Sequence, residues 1–100
     1  MAIKKQYLKS KPLCKVTFSV PADEAKKVEV LGTFNDWKEK KAVKLKKLKN
    51  GTFKGTVDLE TEKTYEFKYV VDGEAWLNDD QADAYAWSDY AGSDNSVLNL

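Results

Sequence analysis

Three tryptophans, Trp37, Trp76 and Trp87, and one lysine set among apolar neighbours, Lys68, are the side chains with the most chemistry to offer. An indole presents a flat apolar surface, and an ammonium offers three hydrogen-bond donors and no acceptor. Together they suit a ligand that has both apolar faces and hydroxyls. That describes a sugar, whose C–H faces stack on rings while its hydroxyls take hydrogen bonds. Trp37 ends the turn Asn35-Asp36-Trp37, and Trp76 follows the turn at Asp72-Gly73. Both lie outside the alternating apolar rows, because Phe34 and Val71 before them already serve the core. Trp87 reads differently, as a plug at one end of the core, since tryptophan is on average a buried residue.

The same inventory argues against catalysis. The chain has no histidine, so it can build no Ser–His or Cys–His pair and holds no imidazole base at neutral pH. Asp79-Asp80, or Asp72 with Glu74, could be put forward as the carboxylate pair of a glycoside hydrolase. Neighbouring acids in a loop are more often solvated charges, and 100 residues leave little enclosed cleft for a reaction. No catalytic residue is therefore expected. The acidic run after Leu77 lacks the glycine and spacing of an EF-hand loop, so neither a metal nor a cofactor is expected.

Net charge is +1, yet residues 1–54 carry +10, from 15 lysines against 5 acids, and residues 55–100 carry −9, from 2 lysines against 11 acids. Such asymmetry can mark a nucleic-acid or membrane partner. All 17 basic residues are lysine, however, and arginine is the residue of bidentate phosphate and guanine recognition. Lysines alternating with apolar residues on strands guard sheet edges against pairing. Neither nucleic acid nor membrane is expected as a partner, and no run of about 18 apolar residues is present. The single cysteine, Cys14, sits in an apolar row and reads as core filler that cannot form an internal disulfide. With the polar, lysine-rich start of the chain, this points to a reducing, cytoplasmic setting.

The elements that must hold these side chains read as β throughout. Leu13 to Val20 alternates, with Cys14, Val16, Phe18 and Val20 inward and Lys15, Thr17 and Ser19 outward. Lys27 to Phe34 gives a second strand, interrupted at Gly32. Ala42 to Lys49 gives a third, in which Val43, Leu45 and Leu48 break strict alternation and imply a bulge or shift. Asn50-Gly51 is the signature of a type I′ hairpin leading into Thr52 to Leu59. Thr64 to Val71 is the central strand, with Tyr65, Phe67 and Tyr69 toward the core and Glu66, Lys68 and Val70 on the other face. The stretch after Trp76 reads as an acidic, irregular loop carrying Tyr85, Trp87 and Tyr90, and Ser96 to Leu100 as a last short strand. Residues 1–12 read as a flexible arm and 13–100 as a single domain, an all-β immunoglobulin-like sandwich of about seven antiparallel strands.

VEVLGTFNDW, FKYVVDGEAWLND and GSDNSVL, in that order and spacing, resemble a family-48 carbohydrate-binding module. This is the module of the AMP-activated protein kinase β subunit, which also precedes the catalytic barrel of isoamylases and glycogen branching enzymes. The resemblance covers roughly Val16 to Leu100. It implies an early-set sandwich that binds α-1,4-linked glucan such as glycogen or starch. It implies sugar contacts at Trp37, which ends the FNxW turn, at Lys68 in the FKY strand, at Trp76 after the DG turn, and at Asn95 before the last strand. Asn95 enters only through the resemblance; from its own neighbours it reads as a turn residue.

Three positions depart from the family pattern. Ala75 adds one residue between the DG turn and its tryptophan, and a one-residue shift reverses a side chain's face unless a bulge absorbs it. Ala91 stands where the kinase module has a leucine that inserts into the curved ligand, and Tyr90 beside it is expected to take that place. Asp80 stands where many relatives have proline. The Asp72-Gly73 turn is therefore expected to be bulged, so that Trp76 emerges exposed on the same side as Lys68 and Trp37.

Two functions follow. One is non-catalytic binding of an α-glucan polysaccharide or oligosaccharide, with Trp37 and Trp76 set at an angle that selects a curved chain over flat cellulose. The other is a protein-interaction module of the same fold, docking onto a glucan-metabolising enzyme or kinase through the lysine-rich face or the acidic loop, since a fold does not fix a function.

Overall fold

The computed structural model describes residues 1–100, which form nine strands and two single-turn 3₁₀ helices. One layer holds β1 (Ala2–Tyr7), β2 (Leu13–Pro21) and β5 (Thr52–Glu60). The other holds β3 (Val28–Gly32), β6 (Thr64–Val71), β7 (Ala75–Leu77), β8 (Ala84–Ser88) and β9 (Ser93–Asn99). β4 (Val43–Lys47) belongs to both, because Val43 to Leu45 pairs with β3 while Lys46 and Lys47 pair with β5. Val43 and Leu45 keep the period of two, and Leu48, which departs from it, lies past the end of β4 at the hairpin turn and is exposed. Every pairing is antiparallel. The all-β sandwich expected from the turn spacing is what the chain forms. No helix is long and apolar enough to cross a membrane.

The core lies between the layers and follows the period-two pattern. Cys14, Val16, Phe18 and Val20 of β2 face Val28 and Val30 of β3, Phe67 and Tyr69 of β6, and Leu98 of β9. Phe18 is the hinge of this packing, with its ring centroid 5.3 Å from Phe67 and 6.0 Å from Tyr69 in tilted and edge-on contacts. Cys14 is fully buried and unpaired, as filler should be.

Three local readings change. Residues 1–12, read as a flexible arm, contain β1, which pairs with β2 from Ala2 opposite Ser19 to Tyr7 opposite Cys14. Met1 and Ile3 pack against the core, and Lys5 Nζ donates to Asp83 Oδ2 at 2.6 Å and to the Asn99 carbonyl at 3.2 Å, fastening this edge to the other layer. An edge strand buries too few side chains to show a clear period.

The hairpin at Asn50-Gly51 is not type I′, since only Gly51 has positive φ, at 85°. Gly51 N–H donates to the Leu48 carbonyl at 3.0 Å, Leu48 N–H to the Thr52 carbonyl at 2.8 Å, and Asn50 Oδ1 accepts from Thr52 N–H at 3.0 Å. The loop is thus three residues long, a type I turn followed by a left-handed glycine. The third change is that Ala84 to Ser88, read as loop, is strand β8, paired along its length with β9.

Candidate functional site

The chemistry-bearing residues meet on the outer face of the second layer. β6 is paired with β3 along one edge. Along its other edge β9 pairs with Thr64 to Phe67 and β7 with Tyr69 to Val71. Lys68 is the residue at the split. A cleft of about 870 Å³ opens there, lined by Trp37, Lys68, Trp76, Tyr90 and Asn95, with Ser88, Ala91 and Ser93 between them.

Trp76 reaches this cleft through an irregular turn. Asp72 and Gly73 have φ of 53° and 70°, and Glu74 N–H donates to the Val71 carbonyl at 3.1 Å, which is a type I′ turn. The register then sets Ala75, not Glu74, opposite Val71. Two residues oppose one, so the extra residue is absorbed as a bulge. Trp76 therefore lies opposite Val70, on the Lys68 face, and is 51% exposed. The turn is anchored by Asp72 Oδ1, which accepts from Lys26 and Lys27 N–H at 2.7 and 3.0 Å. The backbone N–H groups of Lys27 and Lys26 hold its carboxyl below the usual aspartate range.

Trp37 is placed by strain that Asn35 holds. Asp36 and Trp37 both adopt left-handed backbone with φ of 57°. That conformation costs on the order of 1–3 kcal/mol for a residue with a Cβ. Buried Asn35 accepts from Gly32 N–H through Oδ1 at 2.9 Å and donates through Nδ2 to the Val30 and Lys41 carbonyls at 3.1 and 3.3 Å. Trp37 N–H closes the loop on the Gly32 carbonyl at 2.9 Å. Gly32 is required sterically, since a Cβ there would sit 2.4 Å from the Glu66 carbonyl oxygen. The GxFNxW sequence is thus a device that turns the chain back over the sheet and presents the indole at the cleft.

Lys68 is 7% exposed, and its Nζ donates to Ser93 Oγ at 2.6 Å. None of the four ion pairs in the molecule involves it. Two of its three N–H donors are therefore unspent beside the cleft. Asn95 is buried and donates from Nδ2 to Glu66 Oε1 at 3.1 Å, which leaves its Oδ1 as an acceptor. Cleft walls of indole, with fixed donors and acceptors at the floor, can hold a neutral ligand rich in hydroxyls.

Beneath the cleft a buried polar chain fastens the segment after β7. Asp79 is fully buried; its Oδ2 accepts from Tyr69 OH at 2.5 Å and its Oδ1 from Gln81 N–H at 2.7 Å. Its own N–H donates to Ser96 Oγ at 3.0 Å, and that hydroxyl donates to Asn78 Oδ1 at 2.9 Å. Burial, and then the Asp79 carboxylate, push the Tyr69 phenol far above the usual tyrosine range, so it remains a proton donor.

Residues 15–100 match the family described as the glycogen recognition site of AMP-activated protein kinase. The chain belongs to this family. No curated protein is similar enough to the chain to count as a relative. The family is one of carbohydrate-binding modules, and glycogen recognition is the property that defines it. In this glycogen-recognition module the matched residues take in every side chain that lines the cleft and leave β1 outside.

Several residues stand differently in the fold from what their local sequence implies. Ser88 and Ser93 escaped notice because a serine carries no signal until its strand is known. Asn35 reads from its neighbours only as part of a turn, although asparagine side chains commonly hydrogen-bond nearby backbone in turns. Asp79, whose acidic loop reads as solvated, is fully buried. Trp87, read as a core plug, is instead 65% exposed, with Nε1 donating to Asp89 Oδ1 at 2.9 Å. It lies on edge strand β8, beyond which no further strand packs.

Proposed function

We propose that the cleft binds an α-1,4-linked glucan, as polysaccharide or maltooligosaccharide, without catalysing its breakdown. Trp37 and Trp76 stack on the C–H faces of successive glucose units. Lys68 donates to hydroxyls, Asn95 accepts from and donates to them, and Tyr90 fills the inside of the curved chain in place of the leucine of the kinase module. The observation that carries this reading is Lys68, a buried ammonium with one serine partner, no carboxylate, and two indoles in the same cleft. The hydroxyls of a bound sugar can supply acceptors to the donors that Ser93 leaves unspent. No carboxylate lines the cleft, so the two-carboxylate arrangement of glycoside hydrolysis has no place in it.

Open surface sites of this kind bind weakly, with dissociation constants on the order of 0.01–1 mM. Titration with β-cyclodextrin or maltoheptaose should quench or shift tryptophan fluorescence in that range. Trp37→Ala should abolish the response while unfolding stays cooperative. Binding should change little between low and moderate salt, because neutral contacts dominate. A flat titration of the unmutated module would overturn this reading and favour the alternative, docking onto a glucan-metabolising enzyme.

A further inference from the structure

Trp87 is the aromatic residue that the cleft does not use. In the β8–β9 hairpin Ser88 lies opposite Ser93 and Trp87 opposite Asp94. Ser88 and Ser93 line the cleft, so Trp87, and Tyr85 two residues before it, point to the reverse side of β8. Both rings are held by their edges: Trp87 through Asp89, and Tyr85 through a hydroxyl that donates to the Asp79 carbonyl at 2.5 Å. Their exposures of 65% and 47% leave ring surface open beside an outermost strand. Fixed, exposed rings are what stacking requires, since little side-chain entropy is then lost on binding.

The reverse side and the cleft share one element, the tip of the β8–β9 hairpin. The tip of the hairpin, residues 89–92, is closed by Gly92 N–H donating to the Ser88 carbonyl at 2.8 Å. Asp89 in this tip orients Trp87, and Tyr90 next to it lines the cleft while standing wholly clear of the protein. The charges around the tip, Asp89 and Asp94, are negative, which disfavours an anionic partner and suits a neutral one. We propose that Trp87 and Tyr85 form a second sugar-stacking platform, and that one α-glucan chain runs from the cleft over Tyr90 onto it. The proposal rests on the cleft binding glucan. Its consequence is a preference for long chains, because the second contact is made within a complex already formed and needs no second encounter.

The test compares two ligands on the full chain, measured by calorimetry. β-Cyclodextrin is a closed ring that can occupy the cleft and has no free end to cross the tip; maltododecaose is a linear chain that can reach both surfaces. Trp87→Ala should weaken maltododecaose on the order of tenfold and leave β-cyclodextrin within about twofold, with Trp87→Phe intermediate. Equal affinity of the alanine variant and the parent for maltododecaose would overturn the platform while leaving the cleft reading intact. So would an equal loss for both ligands, which would place Trp87 in support of the cleft. Sedimentation of the unliganded protein covers the remaining occupant: a dimer lost in Trp87→Ala would show that a second copy covers this face and refute the platform. If the parent binds neither ligand, the cleft reading fails and the platform falls with it.

Discussion

The two outer faces of the sandwich are made from similar strands and behave as opposites. On the first layer Lys15, Thr17 and Ser19 of β2 stand beside Asp58, Thr56 and Lys54 of β5, exposed or half-exposed in a flat polar field. On the second layer Leu31, Lys68, Val70 and Asn95 point outward in the same way yet are buried. No third layer covers them. Turns do: the strained loop ending in Trp37, the bulged hairpin bearing Trp76 and the β8–β9 tip bearing Tyr90 converge over the split between β7 and β9. A lysine on a paired, uncovered strand is a solvated charge, and a lysine at a split under folded-back turns is a directed donor. Neighbourhood, more than residue type, makes the candidate site.

The largest expected effect comes from loosening what lies under the second face. Asp79→Ala removes the acceptor of the buried Tyr69 hydroxyl and of Gln81 N–H. It should destabilise the fold by about 3 kcal/mol or more. The melting temperature should fall by more than about 10 °C in calorimetry. An unchanged melting temperature would mean that β7 and the cleft are held by something else.

The faces themselves separate at the next level. Lys68→Met should weaken β-cyclodextrin binding at least about tenfold, since hydrogen bonds to a charged group contribute about 1.5–3 kcal/mol, while unfolding remains cooperative. Lys15→Met on the opposite face should leave binding unchanged. Comparable losses from both would erase the distinction between the faces and point to a general electrostatic attraction.

Acid should act on the link between the layers. Desolvation opposes ionisation of Asp83, but the Lys5 ammonium and Asn99 N–H outweigh it and hold the carboxyl below its usual value of 3.8. A depressed carboxyl contributes stability that is present above the unfolded value and lost as pH falls through the folded one. Stability should therefore decline as pH drops below about 4, and Asp83→Asn should flatten the profile in that window. Asp72, depressed by the Lys27 and Lys26 amides, adds in the same direction.

The smallest effect belongs to the solvated face. Lys46 and Lys54 are directly paired across β4 and β5, an arrangement of like charges that strands disfavour. Lys54→Glu should stabilise the protein by about 0.2–1 kcal/mol at low salt, with the gain fading as salt is added. Glucan binding should not change, and a loss of affinity would bring this face into the site.

The sequence by itself determined the alternation of β2 and β6, and with it the core of Phe18, Phe67 and Tyr69 and the outward position of Lys68. Period-two patterning is local, and burial on one face selects it directly. It also determined the turns at Asp36 and Asp72-Gly73, because positive φ favours aspartate and glycine; the left-handed Trp37 beside Asp36 has no such local reason and is held by the surrounding loop. Only the tertiary structure decided the rest, since each remaining point depends on partners distant in the chain. β1 exists because β2 has an edge to offer and Lys5 can reach Asp83. β8, with its small residues toward the cleft and its aromatics away from it, becomes a strand only when β9 pairs with it. Asp79 is buried because Tyr69, ten residues earlier, supplies its hydrogen bond. Trp87 is exposed because the first layer supplies no strand to cover it. Hydrophobicity states that an indole gains from burial; whether a surface exists to bury it depends on where every other strand has gone.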